Sequence, residues 1–215
     1  MKVALIGATG FVGKALLNEL LSRGHQVLAI ARKPGTYEHD THLAWDSVDV
    51  YNTTALAEVL KGNDAVINAF NAGWTNPNLY DDFLSGSTSI EAAAAQAAVQ
   101  RLIVIGGAGS LYINDTQLVD TPEFPEAYKA GATAARDYLN ILKENNNLDW
   151  TFFSPAIEMN PHTSGTRTGK YRTGLENPVF DSNGKSVLSV EDLAVAIVDE
   201  LESPKHIRQR FTAAY

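Results

Sequence analysis

Two hydrophobic periods alternate along the first two-thirds of the chain. Short, nearly continuous apolar runs at 3–6, 25–31, 43–48, 64–69, 101–106 and 149–154 read as strands, with 43–48 the poorest of them. Between the runs, apolar residues recur every three or four positions, the period of a helix with one buried face. Val12, Leu16 and Leu20, flanked by Ala15, Leu17 and Leu21, line the first such face, and Gly24 ends it. Thr53 or Thr54 caps a second helix that runs to Leu60 and stops at Gly62. A long Ala-rich helix ends near Gln100, with Thr88 and Glu91 at capping-box spacing inside it or at its true start. Gly86 weakens the earlier half of that helix. Another begins near Pro125 and runs to about Asn145, and a final amphipathic helix covers 190–201 with Ser189 as its cap.

Strands and helices in this alternation, with short connections, predict an α/β fold: a doubly wound parallel sheet with right-handed crossovers. The run 101–106 is apolar enough to sit at the centre of the sheet. Residues 156–188 break the rhythm, being rich in Gly, Thr, Asn and Pro, with Asn183-Gly184 as a hairpin turn. They are expected to form a small C-terminal substrate lobe, part of one domain spanning 1–215, that covers the crevice beyond the C-terminal strand ends. Residues 210–213 read as a last edge strand.

The first strand runs directly into Gly7-Ala8-Thr9-Gly10-Phe11-Val12-Gly13 and then into a helix. Glycines there let the backbone turn tightly and approach a pyrophosphate. The N–H groups of the first helical turn then face the anion. This context favours a dinucleotide-binding device, and with it a Rossmann NAD(P)-binding fold, over a merely structural turn. Enzymes that select NAD place an acid just past the second strand, where it binds the ribose 2′-hydroxyl. Here the site reads Ala31-Arg32-Lys33-Pro34, two cations and no carboxylate, which suits a 2′-phosphate and so NADP(H) over NAD(H). The alternative is an ordinary solvated pair of charges. Glu38 and Asp40 lie too far along to replace the missing acid. Asp49 and Val50, after the third strand, either edge the adenine ring or form a plain helix-preceding turn.

Composition narrows the classes. The net charge is −8, which argues against non-specific nucleic-acid binding and an anionic membrane surface. No cysteine is present, so disulfides, thiolate catalysis and Cys-based metal sites are excluded. The five histidines show no metal-ligand spacing, and no metal is expected. No stretch has the length of a bilayer span or the pattern of a signal peptide, so a cytoplasmic protein is expected. The long Ala-rich helix would suit a packed homodimer face.

The segments GATGFVG, LIVIGGAGSLY, DWTFFSPA and RTGKYR, together with the run from Ser189 to Tyr215, resemble one family over nearly the whole chain. It is the atypical short-chain dehydrogenase/reductase group commonly labelled NADH-flavin reductases, similar in fold to biliverdin reductase B. The resemblance implies that Gly7, Thr9, Gly10, Phe11, Val12 and Gly13 line the diphosphate. It places Arg32 and Lys33 at the adenosine ribose and Asp49 and Val50 beside adenine. Ala69 and Phe70 would lie along the cofactor, with Gly106, Gly107 and the turn to Ser110 near the nicotinamide. Ser154, Pro155 and Ala156 would close over the carboxamide. The group's label implies NADH, whereas Arg32-Lys33 points to NADPH.

Ordinary short-chain dehydrogenases relay a proton through a Tyr with a Lys four residues on, supported by a Ser after the fifth strand. None of the eight tyrosines here has that lysine. Ser110 stands where the serine would, and Tyr128 with Lys129 is the best-placed remnant, or else a surface pair at a helix start. Hydride transfer to a flavin or quinone needs less proton help than carbonyl reduction, so a reductase of a flat aromatic acceptor, with free flavin as a possible substrate, is favoured. A non-catalytic nucleotide sensor is the rival, and a sugar-nucleotide epimerase is weakened by the same missing pair. Trp74 either stacks on the substrate or is buried in its loop's own small core, and Arg167, with Lys170 and Arg172, either attracts an acidic substrate or lies on a solvated hairpin.

Overall fold

The computed structural model describes residues 1–33 and 40–215. Pro34, Glu38 and His39 fall outside the described residues, as does everything argued from them.

One eight-stranded sheet organises the chain. Its strands are β1 (Lys2–Ile6), β2 (Gln26–Ile30), β3 (Leu43–Asp46), β4 (Ala65–Asn68), β5 (Arg101–Ile105), β8 (Asp149–Ser154), β9 (Arg172–Gly174) and β10 (Gln209–Ala214). β6 (Tyr112–Ile113) and β7 (Thr116–Gln117) form a separate antiparallel pair within the connection read from sequence as loop. The order in the sheet is β3-β2-β1-β4-β5-β8-β10-β9, parallel throughout except that β9 runs against β10. Strand order reverses at β1, between β2 and β4, and that switch point opens the crevice where doubly wound sheets take their ligands.

Among the described residues, five α-helices cover the sheet: α1 (Phe11–Ser22), α2 (Thr53–Leu60), α3 (Leu79–Gln96), α4 (Glu126–Lys143) and α5 (Val190–Glu202). Leu16, Leu17 and Leu20 of α1 are buried with Leu193, Ile197 and Leu201 of α5 on one face. Leu56, Phe83, Ile90, Tyr138 and Leu142, from α2, α3 and α4, fill the other. Each such side chain removed from water contributes about 1.5–3 kcal/mol, so both layers fix the sheet firmly.

Several local readings change. Asn52, not Thr53 or Thr54, caps α2, its side chain accepting from the Ala55 N–H at 3.1 Å. Thr88 is no cap: its hydroxyl donates back to the carbonyls of Leu84 and Ser85 in mid-helix. α3 stops at Gln96 because Ala98 turns left-handed (φ 58°). Gly86 breaks nothing; a Cβ there would lie 2.5 Å from the Phe70 ring, so the glycine lets that ring rest on the helix. The C-terminal strand is not an edge, because β9, supplied by the irregular segment, pairs with its outer side. Gly184 (φ 73°) closes a turn onto the Asp181 carbonyl at 3.1 Å, but no paired strands flank it.

Candidate cofactor and acceptor site

Backbone builds the first half of the site. Gly7 has φ 81°, and a Cβ there would sit 2.4 Å from the Ala69 carbonyl oxygen on the neighbouring strand end. A Cβ on Gly13 would meet the Gly7 carbonyl oxygen at 2.1 Å, so this glycine lets α1 lie directly on the turn. Gly10 is the α1 N-cap in extended conformation (φ −73°, ψ 174°), and no side chain caps the helix. Its close neighbour is the Gly7 carbonyl alone, so its missing side chain leaves the mouth of the turn open. The first-turn N–H groups of Phe11, Val12 and Gly13 thus face outward with the positive end of the helix dipole behind them, as an anion requires. Thr9 and Phe11 are exposed at this mouth, Val12 half-buried behind it.

Arg32 and Lys33 follow β2 and are both exposed, and among the described residues neither side chain has an ion-pair partner. Asp49 holds its own turn, its carboxylate accepting from the Tyr51 N–H at 3.1 Å. Val50 is half-buried, its carbonyl accepting from the Ser89 hydroxyl at 2.6 Å. Between these groups stands Tyr51, which the sequence reading passed over. Its ring is exposed, meets Phe70 edge-on at 6.1 Å, and donates its hydroxyl to the Asp82 carbonyl. Burial and the carboxylates of Asp82 and Asp49 push its phenol up, with Arg32 opposing them. Asp49, Val50, Tyr51 and Phe70 therefore form one rim, and Arg32 is close enough to act on it. The position of Tyr51, directly after Asp49-Val50, was the available signal.

Side chains from distant segments build the second half. Gly106 must be glycine because a Cβ would lie 2.0 Å from the Phe152 ring. Gly107 and Gly109 lie against Ala135 and Ala132 of α4. Ser110 is fully buried; its hydroxyl lies 3.1 Å from the Gly107 carbonyl and 3.0 Å from the Ser154 hydroxyl. Ser154, Pro155 and Ala156 are buried at the end of β8, next in the sheet to β5. Trp74 and Tyr128 come together: their rings meet edge to face at 5.6 Å, and they are 59% and 55% exposed. Trp74 also reaches Gly131 of α4, where a Cβ would lie 2.9 Å from its ring. Lys129 is exposed beside Tyr128 in the first turn of α4.

Arg167 is not free. Its guanidinium grips both carboxylate oxygens of Glu19 on α1, at 2.7 and 2.9 Å. Arg172 bonds the carbonyls of Phe180 and Tyr215. Two of the three basic residues expected to cluster are therefore spent in separate places, Lys170 is exposed, and the segment around them is strapped to α5. Asp192, fully buried in the first turn of α5, accepts the N–H groups of Thr168 and Gly169 and the hydroxyls of Thr168 and Tyr215. Burial raises that carboxyl, but these donors outweigh it and hold it below the usual aspartate value. The RTGKYR motif is the docking turn of this strap.

A family model described as NAD(P)H-binding matches residues 7–204. The chain belongs to this NAD(P)H-binding family. The glycine turn, the uncapped α1 and the two exposed cations at the end of β2 are groups that could hold the nucleotide the family binds. The chain is 38% identical to the uncharacterized protein YwnB of Bacillus subtilis, over 99% of this chain and 97% of that one. A solved candidate epimerase from Bacteroides thetaiotaomicron shares 44% identity and a TM-score of 0.92, over 100% of this chain and 96% of that one. A candidate NADH-flavin reductase from Streptococcus pneumoniae shares 38% and 0.85, over 100% and 99%. Proteins of similar shape thus bear the names of different reactions, and the fold is NAD(P)-binding and oxidoreductase-like. Among the described residues no three His, Asp or Glu side chains group as metal ligands, and no helix is long and apolar enough to cross a membrane.

Proposed function

We propose that this protein is an NAD(P)H-dependent reductase whose acceptor is a flat aromatic ring system, a free flavin or a quinone. When bound, the reduced nicotinamide supplies the hydride. The chain's own residues bind and orient. Backbone N–H groups of the 7–13 turn hold the diphosphate, and Arg32 and Lys33 take the 2′-phosphate, which makes NADPH the preferred nucleotide. Tyr51 and Phe70 bracket the adenosine end, and Ser154, Pro155 and Ala156 wall the nicotinamide end.

The observation that carries this reading is the exposed Trp74–Tyr128 pair beside a turn whose one hydroxyl, Ser110, is buried and already shared with Ser154. The pair offers a flat ring both a face and an edge to pack against. Carbonyl reduction needs an acid for the developing alkoxide, and the one hydroxyl of that turn is already committed to the Gly107 carbonyl and to Ser154. A reduced flavin or quinone spreads its charge over the ring and takes its proton from water. The protein's contribution is then to hold two rings in register.

The test is oxidation of NADPH and of NADH by the purified protein with FMN, riboflavin, a simple quinone and an aliphatic aldehyde. Turnover with flavin or quinone, faster with NADPH, is the expected result. Turnover with the aldehyde alone would make it a carbonyl reductase. Nucleotide binding by calorimetry without any turnover would make it a sensor.

A further inference from the structure

Arg210 sits on β10 with 2% of its surface exposed, an unusual place for a cation. Its guanidinium donates to the Ser110 carbonyl and to the Glu176 carboxylate, and lies 5.5 Å from the centre of the Tyr112 ring. Its Nε is buried without a partner among the described residues. A buried, incompletely satisfied charge is a poor stabiliser, since apolar residues of similar volume serve a core as well or better. What it does secure is the turn after β5. The Ser110 carbonyl takes both Arg210 and the Gln117 side-chain amide, the latter at 3.1 Å. The Ser110 hydroxyl ties the same residue to Gly107 and Ser154. Glu176 extends the tie, its carbonyl accepting the Tyr112 N–H at 2.9 Å and its half-exposed carboxylate meeting Arg210. Asn177 closes the link, donating to the Tyr112 carbonyl at 2.8 Å.

We infer that Arg210 is the positioning residue of the acceptor half, and Glu176 its adjustable partner. Through them the segment that follows β9 sets the pose of the 106–110 turn, and with it the separation between nicotinamide and acceptor. The inference rests on the reductase reading for its catalytic consequence. The tie itself is independent of that reading. Arg210 touches no reacting atom, since it acts through the Ser110 carbonyl. The glycine turn lies on the other side of the switch point and is outside its reach.

The experiment compares wild type with Arg210→Met, Arg210→Lys and Glu176→Gln, all checked for folding by thermal melting. Three quantities are read: nucleotide affinity by calorimetry, kcat and KM with the acceptor that the wild type turns over, and amide hydrogen exchange across 106–112. In Arg210→Met, exchange rises in 106–112 while the strands keep their protection. The kcat falls about 10- to 100-fold with nucleotide affinity intact, as sub-ångström misplacement of reacting rings requires. Arg210→Lys recovers part of the loss, and Glu176→Gln shifts both readouts less, in the same direction. Unchanged exchange, or losses of kcat and nucleotide affinity in proportion, would overturn the assignment. If Arg210→Met does not fold, the Lys and Gln variants carry the same comparison. A wild type without turnover on any acceptor removes the catalytic consequence, and the exchange pattern then decides the tie alone.

Discussion

The two halves of the crevice are built by different means. The cofactor half, from β1 through α1 to the end of β2, is backbone held by glycines, with two exposed cations at its far edge. The other half, where the nicotinamide end would meet the acceptor, gathers Ser110, Trp74, Tyr128 and Ser154 from four segments. Helix α4, a buried arginine and the 176–177 stretch hold it together. A backbone cradle fits one ligand chemistry, the diphosphate, and tolerates little change. A side-chain assembly can be retuned without disturbing the cradle. Structures of one shape are accordingly described as a candidate epimerase and as a candidate NADH-flavin reductase.

The contrast can be broken first at Gly13. Gly13→Ala forces a methyl to 2.1 Å from the Gly7 carbonyl oxygen. It should cost about 1–3 kcal/mol of stability and abolish nucleotide binding, read by melting and calorimetry. Next in size is Arg32→Ala with Lys33→Ala. NADPH should weaken by about 1–3 kcal/mol while NADH hardly changes; equal weakening of both nucleotides would remove these cations from the 2′-phosphate.

Asp192→Asn should loosen the strap, lowering stability by about 1–2 kcal/mol. The same variant sharpens the pH dependence. Because Asp192 is held below its ordinary value of 3.8 in the fold, its contribution is complete above that pH and is lost as pH falls through the lower folded value. Denaturation curves of wild type should steepen in that acid window, and those of Asp192→Asn should be flatter there. The smallest effect is expected at Trp74→Ala. This half-exposed ring contributes little to the core, so melting should hold. The acceptor KM should rise about two- to tenfold for a lost aromatic contact of about 0.5–1.5 kcal/mol.

What the sequence disclosed divides along the same line. The strand–glycine–helix order is local, so Gly7, Gly10 and Gly13 announced the tight turn beneath α1. The alternation of periods disclosed the parallel sheet and nearly every helix. Contacts between residues far apart in the chain left no local trace. Nothing near Asp192 in sequence marks it as the anchor of Thr168 and Gly169, and Arg210 reads simply as a residue of an apolar strand. β9 is three residues of Arg, Thr and Gly, too short and polar to signal a strand, so the sheet appeared to end one strand early. Gly86 was misleading for the opposite reason: its partner, Phe70, lies across the crevice wall, and the local rule reads any helical glycine as a weakness.

The central claim is that one half binds the nucleotide and the other brings a flat acceptor to it without an acid from the protein. Rapid mixing of the protein–NADPH complex with a quinone, followed by nicotinamide absorbance, tests it most directly. The account predicts rapid oxidation whose rate is nearly independent of pH across the neutral range and slows in Trp74→Ala. A bound NADPH that stays reduced in the presence of every flat acceptor would contradict it.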